Sequence, residues 1–185
     1  MNSHSTSLMR LVAAMIASCT FFLLPGAAFA QQKYKYIFSL TVPGKYIEQH
    51  ILDIGDVPGH QIRVAALTTK YGAEAPTYDG VKAVELSGWL MSDYINRSGK
   101  FTQYTVLQMA NGDKIYQTID GQSQTSVGAD GADGAEKTSY TTITHLTGGT
   151  GKFVSIRGML RGSGVTDFKT GPTNNPTEGE YWFDK

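Results

Sequence analysis

Cysteine is nearly missing from this chain: Cys19 is the only one in 185 residues. No intramolecular disulfide can form, and no thiolate metal site can be built. Charge of one sign is missing too, with 16 Lys plus Arg balanced by 16 Asp plus Glu. Without a basic stripe, nucleic acid and anionic lipid are not expected partners. Long helix-forming runs of Ala, Leu, Glu and Lys do not occur beyond residue 30, and no apolar run reaches the roughly 20 residues that span a bilayer as a helix.

The first 30 residues differ from the rest. Arg10 is followed by the apolar run Leu11 to Leu24, then Pro25-Gly26 and Ala28-Phe29-Ala30. That order of charge, apolar segment and small residues is that of a secretory signal peptide, with cleavage expected after Ala30. A retained anchor is disfavoured, because the run is only about 14 residues against the ~20 a span requires. Ile16-Ala17-Ser18-Cys19 resembles a lipobox, so lipidation of Cys19 is the alternative, but Thr20 to Leu24 stays apolar where a lipoprotein turns polar. The expectation is export to the periplasm or the exterior. Removing Arg10 from the 16 basic residues leaves 15 against 16 acidic, a formal charge of −1, and cleavage also discards the cysteine. The mature domain, residues 31–185, then depends on its core alone.

Gly, Thr, Tyr, Val and Ile dominate the mature domain, the balance of strands and turns. Tyr34 to Val42 and His60 to Thr69 alternate with the period of two that marks strands. Residues 43–59 fit either a helical turn or a strand. Val81 to Ile95 is long for one strand, and its Gly88 suggests a bulge or bend. Asn111-Gly112 between Phe101–Met109 and Lys114–Ile119 is a hairpin signal. Asp120 to Lys137, with its Gly-Ala-Asp near-repeat, reads as an exposed loop. Thr138–Leu146 and Lys152–Arg161, the latter around Gly158, make another hairpin through Gly148, Gly149 and Gly151. Thr170 to Thr177 with its two prolines reads as a loop, before a closing strand at Glu178–Phe183. About eight short-connected strands imply an all-β domain closed as an antiparallel barrel, since closure removes exposed edges.

Familiar chemistry is absent or fails on spacing. Gly148 to Lys152 is followed by Phe153, not by the Ser or Thr and the helix of a phosphate loop. Asp120, Asp130, Asp133 and Glu136 lack EF-hand order. His50, His60 and His145 show no metal-ligand spacing, and no Gly-x-Ser-x-Gly elbow exists, so no metal or other cofactor is expected. Asn96-Arg97-Ser98 is a formal glycosylation sequon. Candidate cavity residues come from the central strands: Glu85, Trp89 and Asp93, which share one face by parity, with Gln103, Tyr104, Tyr116 and His145. A carboxylate beside Trp89 and Met91 in an apolar cavity could act as an acid. The tyrosine-rich strands also suit a partner interface.

Ser92-Asp93-Tyr94-Ile95-Asn96, the Tyr104 to Gly121 hairpin, and Gly148-Gly149-Thr150-Gly151-Lys152-Phe153 with Ile156 and Gly158 together resemble the allene oxide cyclase-like barrels, relatives of the plant dirigent proteins. The resemblance spans roughly Val81 to Gly164. It implies an eight-stranded barrel around an apolar cavity, often trimeric, whose plant members guide a reactive intermediate without a cofactor by holding its conformer. The carboxylate and amides those cyclases are thought to place on early strands are missing from Tyr34 to Val42. The sequence therefore leads to an exported barrel binding an apolar small molecule, with a cofactor-independent isomerase, cyclase or dirigent-type guide as the alternative.

Overall fold

A computed structural model describes residues 31–40, 42–126, 137–167 and 171–185, with side chains omitted at 40 and at 167 and 171–174. The proposed signal peptide, Cys19 and the near-repeat at 128–134 lie outside the described residues. Ten strands form: β1 Lys33–Leu40, β2 Lys45–Asp53, β3 His60–Lys70, β4 Thr77–Tyr78, β5 Val81–Ile95, β6 Ser98–Met109, β7 Lys114–Ser126, β8 Lys137–Gly149, β9 Ile156–Asp167 and β10 Gly171–Phe183. A 3-10 turn, Gly151–Phe153, is the only helical element among the described residues. The ladders run β1-β10-β9-β8-β7-β6-β5-β3-β2, all antiparallel, with the short β4 attached to β5.

The all-β antiparallel expectation stands, while the count of eight strands and the closed barrel are corrected. Among the described residues no ladder joins β1 to β2, so the sheet has two hydrogen-bonding edges. The undecided stretch 43–59 supplies β2. The long loop expected from Asp120 shrinks because β7 continues to Ser126 against Lys137 of β8. Of the expected loop Thr170–Thr177, the described part from Gly171 is strand: Pro176 lies opposite Ser39 of β1, and a register shift between Pro172 and Asn174 accommodates the irregular start of β10. The irregularity in β5 falls between Ala83 and Glu85, away from Gly88.

The hairpin at Asn111-Gly112 forms, with Gly112 alone at positive φ (+88°) and Asn111 Oδ1 accepting from the Asp113 amide at 3.1 Å. Gly151, at φ +51°, sits where any Cβ would strike the Asp113 carboxylate. That carboxylate accepts from the Lys152 amide at 3.1 Å, fastening the turn after β8 to the β6–β7 turn. Lys152, the lysine of the discarded phosphate loop, pairs instead with Asp79 at 2.9 Å.

The core gathers at this end of the sheet. Tyr78, Phe153, Met109, Ile115, Ile156 and Leu160 are its largest buried side chains. Fully burying each contributes about 1.5–3 kcal/mol. β4 and the 3-10 turn tuck Tyr78 and Phe153 under the sheet as a plug, where Tyr78 stacks on Tyr36 at 4.8 Å and meets Tyr181 edge-on at 5.4 Å. β2, at the opposite edge, is exposed along its whole length.

Candidate binding site

Strand alternation points one face of the curled sheet inward, and above the plug that face encloses a cavity of about 360 Å³. Every strand contributes to its lining, β1 and β2 included, although no ladder joins those two among the described residues. The middle is Leu67, Leu90, Gln103, Ile119, Thr142 and Thr177; the floor carries Tyr36, Tyr71, Tyr78, Leu107 and Leu160. Among the described residues, no Asp, Glu, His, Lys or Arg appears in the lining.

The floor phenols are held in their protonated form. Burial pushes Tyr36 up to about 12, and Tyr71 and Tyr78 are also raised by burial. They are donors and acceptors of hydrogen bonds at any ordinary pH, not bases. Gln117 accepts from Thr105 Oγ1 at 2.8 Å, which orients its amide toward the Tyr78 hydroxyl at 3.4 Å. Burial likewise raises Tyr140 to about 12.

At the end away from the plug the cavity runs into a polar vestibule, because Tyr46, Tyr94, Ser123 and Thr138 line both. Arg63, Arg97 and Thr166 complete the vestibule. Burial raises the Tyr94 hydroxyl, while its bond to Ser123 and the nearby Arg63 charge pull the other way. Three buried atoms have no hydrogen-bond partner among the described residues: Arg63 Nε, Ser92 Oγ on the residue opposite it in the β3–β5 ladder, and, in the cavity wall, Asn175 Oδ1. Asn175 itself is 3% exposed. Buried orphans of this kind cost about 1–3 kcal/mol each unless something meets them.

Of the candidates read from sequence, Gln103 lines the cavity, opposite Leu90 and Ile119. The others face outward. Glu85, Trp89 and Asp93 do share a face, but it is the convex one, because Leu86, Leu90 and Tyr94 take the inner parity. Trp89 and Tyr104 lie opposite one another at 51% and 61% exposure. Tyr116 is 38% exposed. Glu85 accepts from Thr68 Oγ1 at 2.8 Å. His145 lies in an outer groove with Arg157, Met159 and Trp182. The acid role suggested for Glu85 or Asp93 therefore loses its apolar setting. Asp93 instead meets His60 Nε2 at 2.8 Å, and Asp56 holds His60 Nδ1 on the other side.

Arg63 and Asn175 had no sequence signal of their own. The usable signal was glycine: Gly88, Gly121, Gly158, Gly162 and Gly164 all fall on the inner parity, where an added Cβ would lie within 3 Å of a neighbouring atom. Asp120, one of the acidic residues considered for a cation, accepts from Thr102 Oγ1 at 3.0 Å, while Asp130, Asp133 and Glu136 lie outside the described residues. Among the described residues no group of His, Cys, Asp and Glu could hold a metal ion.

No family model matches the chain, and no curated protein does. Among solved structures, a pterocarpan synthase dirigent protein aligns over 83% of this chain and 88% of its own, at a TM-score of 0.44 and 14% identity.

Proposed function

We propose that this protein is exported and binds one small molecule in the cavity, with an apolar body in the middle and on the floor and a polar or anionic end in the vestibule. One observation carries the reading: a cavity of about 360 Å³ without a formal charge in its described wall leads to a buried arginine Nε that lacks a partner. The volume falls in the range of small-molecule sites, about 300–1,000 Å³. A ligand oxygen at Arg63 and a ligand hydroxyl at Asn175 Oδ1 would satisfy two of the three orphans.

The test is a binding panel of alkyl and aryl carboxylates beside their methyl esters, with native mass spectrometry of protein from its own source. Carboxylates should bind more tightly, and Arg63→Met should erase the difference, about ten- to hundredfold for a charged hydrogen bond of roughly 1.5–3 kcal/mol. Failure of every compound to bind, together with protein that is always empty, would sink the proposal.

A second reading uses the same wall. Neutral phenols at Tyr36, Tyr71 and Tyr78 can donate to an oxygen that gains charge as a reactive ligand cyclises or couples, with the cavity selecting the conformer. Unsaturated epoxides and phenolic radicals test it: a product ratio unchanged by the protein would count against this role while leaving binding intact.

A further inference from the structure

The edge strand β2 has all nine residues exposed, and among the described residues β3 is the one strand that pairs with it. One row of its backbone N–H and C=O groups therefore has no ladder partner there. Such an edge invites another strand, and proteins usually blunt it with charges or bulges. Here the order of side chains is unusual. Outward from Gln49, Lys45-Tyr46-Ile47-Glu48-Gln49-His50-Ile51-Leu52-Asp53 is self-complementary, apolar residue mirroring apolar and base mirroring acid. Lys45 mirrors Asp53, Tyr46 mirrors Leu52, Ile47 mirrors Ile51, and Glu48 mirrors His50.

We infer that β2 is a self-docking edge, which pairs antiparallel with β2 of a second copy of this chain about a two-fold axis through Gln49. An isologous interface places each residue i opposite j and each j opposite i, so a self-complementary centre satisfies each of its pairs twice. Glu48 and His50 project to one side, already 2.7 Å apart within a single copy and both largely exposed. Across the axis each carboxylate would face the other copy's imidazole, closing a ring of four groups. Gln49 meets its own mate, amide to amide. The register shift between Tyr46 and Glu48 lies outside this central triplet.

The rival occupant is the chain's own β1. A hairpin through the connection 41–44 would set Leu40 against Lys45, and so Lys35 against His50 and Ile37 against Glu48. It offers one pair of like character and one apolar residue against a carboxylate, where self-pairing offers two attractive pairs. The charges of β2 thus oppose indiscriminate pairing while permitting one register.

Sedimentation of the purified protein across a concentration series should show a reversible monomer–dimer equilibrium. Glu48→Lys sets two lysines against two histidines, and His50→Glu gathers four carboxylates, so each variant alone should associate at least about tenfold more weakly. Mixed in equal amounts, the two variants should form a heterodimer, since the lysine introduced in one copy then faces the glutamate introduced in the other, and the retained His50 faces the retained Glu48. That recovery also shows that both variants fold. A wild-type chain that stays monomeric at millimolar concentration, an oligomer that neither variant weakens, or a mixture that fails to associate would each overturn the inference.

Discussion

Gly88→Ala separates cavity from scaffold. Gly88 sits on the inner parity of β5 in ordinary extended backbone, and an added Cβ would lie 2.5 Å from Gln103 Nε2 and 3.2 Å from the nearest Leu67 atom. Nε2 is the far end of a flexible side chain, so Gln103 can swing aside into the cavity. Overpacking typically costs about 1–3 kcal/mol, and losing glycine's freedom in the unfolded chain returns about 0.4–1 kcal/mol. The net loss is about 1–2 kcal/mol, or roughly 2–8 °C in melting temperature for a chain of this size. Binding should suffer by more than stability suggests. The methyl and the displaced amide consume space in a cavity of about 360 Å³. A ligand loses about one methylene of contact, ~0.8 kcal/mol, and a hydrogen bond to Gln103, about 0.5–1.5 kcal/mol. Together these predict affinity falling about tenfold or more. Displacement of a bound fluorescent apolar probe reads the affinity and thermal unfolding reads the scaffold. Gly112→Ala, which adds a methyl to open space at the far turn, is the control. Equal affinity in all three proteins would refute the assignment of the cavity as the binding site.

Gly151→Ala and Gly112→Ala should differ although both glycines have positive φ: the first also drives a methyl into the Asp113 carboxylate, the second meets nothing within 4 Å. Urea midpoints should place Gly112→Ala about 1 kcal/mol below wild type and Gly151→Ala about 2–4 kcal/mol below, with strain from φ and one charged hydrogen bond as the two contributions. The His60 clamp should make stability depend on pH. His60 is raised by its bonds to Asp93 and Asp56, so its contribution is full below the ordinary histidine value of about 6.5 and fades as pH rises through the higher folded value. Asp56 is lowered chiefly by its bond to His60, so its contribution holds above the ordinary carboxylate value and fades as pH falls through the lower folded one. The stability gap between wild type and His60→Asn should be widest between about pH 4 and 6.5 and should narrow toward pH 9; a gap that widens with pH contradicts the clamp.

Alternation was legible in the sequence, but its phase was not. Period two put Glu85, Trp89 and Asp93 on one face correctly, yet hydrophobicity could not say which face was inside. Trp89, Met91 and Tyr104 are the large apolar residues that suggest an interior, and all three are more than half exposed. The true interior interleaves leucine, isoleucine and phenylalanine with threonine, tyrosine and glycine, so no run of large apolar residues marks it. Glycine at extended φ was the better guide, and it pointed to the face of Gly88, Gly121 and Gly158. β2 was hard to read for a different reason: only its Tyr46 lines the cavity and none of its residues is buried, so burial selects little alternation there. Pro172 and Pro176 misled because β10 is joined to β1 late in the chain, and proline's missing N–H matters only where the ladder needs it.

The distribution of packing bears on how a ligand would enter. The plug end is tied by buried aromatics, the Asp113 carboxylate and the Lys152–Asp79 pair, whereas the vestibule end has an unpartnered Arg63 Nε and a neighbouring edge strand with no buried residue. The free energy of the fold is therefore concentrated at the floor and thin at the mouth. Local opening follows the thin side, because the opening free energy of a segment is set by the buried contacts it must break. A ligand can then reach the cavity past β2 and the β5–β6 turn while the phenol floor keeps its geometry, and an oxygen bound at Arg63 would stabilise the end that opening loosens.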